Sequence, residues 1–408
     1  MVTWGAIEPI ESLQTRLRLD FGLRPAILAF NEWAVPGLGG AFFVRQLTWG
    51  CMGIMLAEEI DKPLMAARIA EGLEAFASWI ALKRSKGYDK DDRIQGKRKF
   101  SELDGLSFDA VNAGGAYVTV PFRRAATAAL PGLGFCVKAE ARFNALQLAR
   151  PGTALAQAAL SKSGTFDLVL NFIKRSSNVH SHIDTNLKQA LLPGAATNEE
   201  CRLVKAQLMS DKRRARLVQL VKQGDDALTA LQSSPGRTAF LRQIEDAQHR
   251  AQLDACFAFE GVRSSALNAA QSLATCVKAT QQSWANLAGS TEVKNKFGAL
   301  EKSCAELAAK LMPLQDVPSE IKVFCNEQSK NAALEQRIRA LATRLPLVLS
   351  VLDHGLDRGL GYTDSLVAAD AEDATESEVA PSDSAVPRPL LRLKRLYKEI
   401  LMGAPDAT

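Results

Sequence analysis

Aromatic side chains are scarce: they make up 6% of a 408-residue chain whose hydrophobic share is 47%. A core short of large rings and rich in alanine favours helices packed through small residues over a broad β-sheet. There is no Cys-x-x-Cys pair among the cysteines at 51, 136, 201, 256, 276, 304 and 325. An odd, scattered set reads as reduced, buried thiols of a cytoplasmic protein. No long apolar run is present. The most apolar stretch, residues 41–57, contains Arg45, Gln46, Thr48 and two glycines, whereas a bilayer span needs about 20 mostly apolar residues; a buried helix is expected and no membrane contact. The first residues have no basic region followed by an apolar core, so no signal peptide is expected. Gly-x-Ser-x-Gly, Walker and His-Glu-x-x-His motifs are missing, as are carboxylates clustered at metal spacing. No catalytic residue, metal ligand or cofactor is therefore assigned.

The length allows two or three domains. A formal net charge of +5 is too mild to imply nucleic acid by itself, but its distribution is uneven. Seven acidic residues and no basic one lie between Arg358 and Arg388, so the preceding body is more basic than the total suggests. The expected fold is mainly α, in six parts. They are a helical N-terminal domain with a basic arm (1–97), a small domain of helices around a two-stranded β-wing (98–165), a helical connector (166–237), an elongated helical bundle (238–360), an acidic disordered linker (361–387) and an amphipathic docking helix (388–402). Helices are expected over residues 13–30, 41–60 and 63–83. The glycines at 37–40 read as a tight turn between helices, because they lack a Gly-Lys-Ser/Thr ending and a preceding strand. Residues 83–99 carry eight basic and three acidic side chains, either a solvated loop or an arm that runs over phosphates.

Residues 100–160 commit to most. A helix is expected over 100–112, with Ser101 as N-cap, then a turn at Gly114-Gly115 and a short strand at 117–120. Pro121 opens a helix that Pro131-Gly132 stops. Residues 133–137 and 142–148 form a hairpin around Lys138-Ala139-Glu140-Ala141, and Pro151-Gly152-Thr153 restarts a helix. This order resembles the winged helix-turn-helix domain of DNA-binding proteins over residues 98–165. The resemblance implies a recognition helix at 121–130 that offers Arg123, Arg124 and Thr127 to double-stranded DNA. It implies phosphate contact by Lys138 and Arg142 at the wing and by Lys97, Arg98 and Lys99 in the arm. Protein docking is the other use such a domain has, and the four alanines of this helix fit it.

Three later stretches carry alternatives. Arg175 and His180 have an Arg-x4-His spacing similar to the motif of HEPN ribonucleases, and Arg242 to His249 is a second match; His180, His182 and Asp184 also allow a metal reading. Lys212, Arg213, Arg214 and Arg216 wrap too far around a helix from 198 to 224 to form one stripe, so some must face solvent. Residues 238–290 hold apolar spacing without proline, on the order of 75 Å of helix if unbroken, followed by helices at 291–312 and 319–352. In the terminal helix Leu390, Leu393, Leu396, Tyr397 and Ile400 share a face, read as a docking surface for a protein partner. The order of a winged helix, long helices, acidic linker and terminal helix resembles the kleisin subunits of bacterial condensin-like complexes. The primary expectation is a non-enzymatic DNA-binding protein, a regulator or the DNA-contacting subunit of a larger complex. The kleisin-like subunit and the helical ribonuclease are the alternatives.

Overall fold

The computed structural model describes residues 20–402 apart from 86, 89, 102, 104, 113–116, 119, 139–141, 175–183, 223–224 and 363–385. The chain is mainly helical. It begins with α1 (Arg24–Ala34), α2 (Val44–Glu59), α3 (Ala66–Arg84), α4 (Lys97–Ser101), α5 (Phe108–Asn112) and α6 (Phe122–Gly132). The hairpin β1 (Cys136–Lys138) and β2 (Leu146–Leu148) precedes α7 (Arg150–Ala159), α8 (Thr165–Lys174), α9 (Thr185–Leu191), α10 (Asn198–Met209) and α11 (Lys212–Val221). Next come α12 (Asp225–Ala230), α13 (Ser234–Arg242), α14 (Ala247–Val277), β3 (Gln282–Ser283), α15 (Trp284–Gly289) and α16 (Thr291–Leu311). The order closes with α17 (Ser319–Glu327), α18 (Leu334–Thr343), β4 (Leu349–Val351), β5 (Gly355–Arg358) and α19 (Arg388–Met402). Among the described residues no helix is long and apolar enough to cross a membrane.

The chain divides into two compact units. One holds residues 1–30, 254–369 and 378–385; the other holds 31–253, 370–377 and 386–408. In the larger unit α2 is the central helix, buried at nearly every position including Arg45. Small residues let it come close to its neighbours: a Cβ added at Gly53 would lie 2.6 Å from that of Ala70 on α3, and one at Gly50 would lie 2.8 Å from Leu130 on α6. The turn at 35–43 obeys the same rule. Gly37 (φ 72°) and Gly132 at the end of α6 face each other so closely that a Cβ on either would sit 2.3–2.6 Å from the other's backbone. The buried Arg45 guanidinium donates to the carbonyls of Gln189 (2.7 Å), Ala195 (2.6 Å) and Ala190, and lies 3.0 Å from Glu200. It thus closes the C-terminus of α9, while Glu200 completes a capping box with Thr197 at the start of α10.

In the other unit the α16 residues Val293, Phe297, Leu300, Cys304, Leu307 and Leu311 alternate four and three apart and are all buried. Phe30 stacks on Phe259 with centroids 4.1 Å apart. A three-stranded antiparallel sheet, ordered β3-β5-β4, pairs Gln282 with Leu356 and Leu349 with Arg358.

Several expected helices are shorter than expected or broken in two. The 100–112 helix is two short ones: the Leu103 carbonyl accepts the Trp79 indole N–H (3.1 Å), and Ser107, not Ser101, caps α5 through the Ala110 amide (3.1 Å). Tyr117 and Val118 are buried but in no strand, and among the described residues β1 pairs with β2 alone. Of the expected 13–30 helix, 13–19 lie outside the described residues; Phe21 and Gly22, both at positive φ, form a turn before α1 begins at Arg24. Residues 238–290 are not one helix: Asp246 accepts the His249 amide (2.9 Å) and starts α14 afresh. The 198–224 helix restarts likewise, as Asp211 accepts the Arg214 amide (2.9 Å). The stretch 319–352 holds two helices and a strand, since Pro346 denies the helix an N–H beyond α18. Of the linker expected at 361–387, residues 363–385 lie outside the described residues, whereas the Tyr362 hydroxyl donates to the Ala274 carbonyl (3.0 Å) and Val386 is buried.

Candidate nucleic-acid interface

The candidate interface is built around the first turn of α6. Pro121 stands at its N-cap and has no side chain to offer. The helix is capped from another element instead. The amides of Phe122 and Arg123 donate to Oε1 (2.9 Å) and Oε2 (3.1 Å) of Glu74 on α3, and the Tyr117 hydroxyl donates to Oε1 (2.9 Å). Glu74 is buried, and burial pushes its carboxyl up to about 8 against the pull of these three donors. Burial and the adjacent Glu74 also raise the Tyr117 hydroxyl well above the usual tyrosine range. Glu74 was not anticipated from sequence. The sign was there: it shares a 4-3-4 stripe with Ala70, Ala77 and Ala81, all buried.

Of the expected DNA contacts, Arg124 and Arg142 are exposed. Arg123 is half-buried, 2.9 Å from Glu71, with its guanidinium 6.0 Å from the centroid of the Phe143 ring. Since Phe143 follows Arg142, this contact joins the first turn of α6 to the connection between β1 and β2. Asn144 fastens that connection to the start of α3, donating to the Leu64 carbonyl (2.8 Å) and accepting the Ala67 amide (2.7 Å). The Thr127 hydroxyl turns inward to the Arg123 carbonyl (3.1 Å). Lys99 reaches the Tyr117 carbonyl, and Lys97 is half-buried. The side chains of Arg98 and Lys138 lie outside the described residues. Arg68, exposed on α3 and three residues before Glu71, is a further cation on this side of the helix that sequence spacing did not reveal.

The alanine flank of α6 is covered. A Cβ on Gly40 would lie 2.6 Å from that of Ala125, and one on Gly39 would lie 2.9 Å from the Ala129 nitrogen. The 35–43 loop thus lies against the Ala125 and Ala129 side of α6, while Ala128 and Arg124 stay exposed.

The basic cluster in α11 is mostly engaged. Arg214 is buried and donates to the carbonyls of Pro36 (2.8 Å), Gln207 (3.0 Å), Gly132 (3.2 Å) and Leu208 (3.3 Å), which closes the C-termini of α6 and α10. Arg213 pairs with Asp246 (2.8 Å), and Arg216 donates to the Gln243 carbonyl (2.9 Å).

The terminal helix also departs from expectation. Leu390, Leu393, Leu396, Tyr397 and Ile400 are all buried within the larger unit, where α19 packs on α10, α11 and α2. The face assigned to a protein partner is occupied by the chain itself; amphipathicity marks a face for burial without saying against what. Polar contacts fix the helix as well. Glu399 accepts the Val44 amide (2.6 Å), capping α2, and holds Arg93 (2.8 Å), while Arg395 reaches Asp92 (2.6 Å) and lies over the Phe42 ring.

Arg175, His180 and His182 lie outside the described residues. In the second Arg-to-His match, Arg242 is exposed whereas His249 is fully buried, its imidazole lowered by burial and by Arg213. Asp184 caps α9 through the Asn186 amide (2.7 Å). Among the described residues no group of three or more His, Cys, Asp or Glu side chains is placed to hold a metal ion. No protein-family model matches the chain, and neither does any curated protein or solved structure.

Proposed function

We propose that this chain binds double-stranded DNA through its winged-helix-like segment at 98–165, as a regulator or as the DNA-contacting part of a larger assembly. The contact is chiefly to phosphate. The observation that carries the reading is the approach of Arg123 to the Phe143 ring, which brings together the two segments that carry the exposed Arg124 and Arg142. Phosphate contacts require exposed cations on a rigid support and no groove-reading face. A first turn capped by a buried carboxylate and a hairpin connection bonded to the start of α3 meet that requirement.

The test is the salt dependence of duplex binding by the full chain, read by fluorescence anisotropy. With Arg123 held by Glu71, Arg124, Arg142 and one residue of the 97–99 arm give Z of about 3 and a log–log slope near −2.7. The double variant Arg124→Ala/Arg142→Ala flattens the slope by nearly 2, while Arg123→Ala changes it by less than about 1. Binding that ignores salt, or a double variant with the parental slope, removes these residues from the interface.

A further inference from the structure

In the unit that holds residues 254–369, a groove of about 560 Å3 lies between α16 and α17. That volume falls within the range of roughly 300–1,000 Å3 that small-molecule sites occupy. A short connection joins the two helices, so they run antiparallel and the first turn of α17 faces the last turn of α16. Cys304, Leu311 and Cys325 are buried and make the floor, while Ala305, Met312 and Lys322 are exposed on the rim. The groove is therefore open along one side. Its ends differ. Near the connection the lining is apolar, with Ala308, Leu311, Met312 and Leu314; beyond the C-terminus of α17 it is polar, with Ser329, Lys330 and Asn331. Met312 is 83% exposed, which leaves a long, adaptable apolar side chain in water at the apolar end. The charges are unbalanced too. Lys322 and Lys330 are exposed and pair with no carboxylate among the described residues, whereas Glu301 at the polar end is held by Arg337 at 2.7 Å.

We propose that this groove binds a straight-chain aliphatic carboxylate of about ten carbons. The carboxylate lies at the polar end, where Lys330 supplies the opposite charge and Ser329 and Asn331 supply hydrogen-bond donors. The chain runs past Ala305 and Ala308, whose small side chains leave the space for it, toward Met312. From Glu301 to Met312 the helix rises on the order of 16 Å, which sets the length of chain the groove receives. Lys322 adds a second positive charge, and its four-carbon stem extends the apolar wall while its ammonium group stays in water. With Glu301 already neutralised by Arg337, the two free lysines set the sign of the guest. A neutral guest of the same shape leaves both without a counter-charge, and a cation is repelled by both. This site is independent of the DNA-binding reading.

The experiment is isothermal titration calorimetry of the full-length chain with sodium decanoate, kept below the concentration at which it forms micelles. The expected result is a single site with a Kd between about 10 μM and 1 mM. Octanoate buries two fewer methylenes and should bind about 4- to 15-fold more weakly. Decyltrimethylammonium has the same tail and the opposite charge, and should bind at least about tenfold more weakly than decanoate. Ala308→Trp fills the groove from its solvent side and should abolish decanoate binding; Lys330→Gln should weaken it about 2- to 5-fold. Absence of decanoate binding up to about 2 mM overturns the proposal and leaves the groove to a larger partner. Equal affinity for the cationic amphiphile overturns the assigned ligand class. Decanoate binding that both substitutions leave unchanged places the site elsewhere and overturns the proposal as well. The comparison of head groups uses the wild-type chain, so it stands even if Ala308→Trp fails to fold.

Discussion

Glu74 offers the sharpest test of how this fold holds its candidate interface. Its carboxyl accepts three buried donors, two of which begin α6. Glu74→Gln keeps one acceptor oxygen but sets an amide N–H2 against a backbone N–H, which orphans a donor at a cost of about 1–3 kcal/mol. The pH dependence is more telling. Burial carries the folded-state value from 4.5 to about 8, so between those limits the folded chain holds a proton that the unfolded chain has released. The stability this group contributes is thus complete below pH 4.5 and is lost as pH rises through 8. The full gap is worth at most about 5 kcal/mol. Urea unfolding of both proteins, followed through the buried Trp49 and Trp79 of the same unit, gives the difference at each pH. The penalty of Glu74→Gln is expected to be largest near pH 4.5 and to shrink toward pH 8. A penalty that stays constant or grows over this range means that the three donors outweigh burial and the carboxylate is ionised throughout.

Other parts of the framework respond in their own ways. Arg45→Met leaves Glu200 buried without its partner and should lower stability by about 3–5 kcal/mol, with partial recovery in Arg45→Met/Glu200→Leu; urea midpoints decide. Glu399→Ala removes the cap of α2 and the tie to Arg93 at a cost of about 1–2 kcal/mol. That should raise the opening of α19, and trypsin cleavage after Lys394, Arg395 and Lys398, by about 5- to 30-fold; an unchanged cleavage rate would mean that the apolar face alone holds the helix. His249 is held neutral by burial, its folded value lying below that of the unfolded chain. His249→Gln should therefore narrow the loss of stability seen on acidification below about pH 6.5, and an identical acid profile refutes this.

The helical character of the chain, the buried helix over 41–57 and the hairpin near 136–148 could be read from local pattern, because periodicity, proline and glycine act within a few residues. What the pattern missed depended on distant partners. The Leu103 carbonyl turns from its helix only because Trp79 is near, and nothing between 100 and 112 records that. The 345–352 run, apolar at most positions, fits a helix or a strand equally; its pairing with 355–358 decides. In the α11 cluster the sequence offers four similar cations, and only the convergence of the α6 and α10 ends makes Arg214 the buried one. In the candidate site, Arg124 and Arg142 were named from spacing and are exposed, whereas Glu71, Glu74 and Phe143, which set the surroundings of Arg123, lie far from it in sequence.

Glu399 supplies the N-terminal cap of α2 from the far side of an inserted unit, and this has a consequence for synthesis. Before Val386 emerges, a ribosome must add about 130 residues after Leu253, most of them belonging to the other unit; at about 5–20 residues per second this takes roughly 7–26 s. During that interval α2 lacks its carboxylate and the surfaces of α10 and α11 that receive α19 are bare. The nascent larger unit therefore spends several seconds as an apolar platform awaiting its own last helix, the period in which a chaperone or a neighbouring nascent chain competes for the same groove.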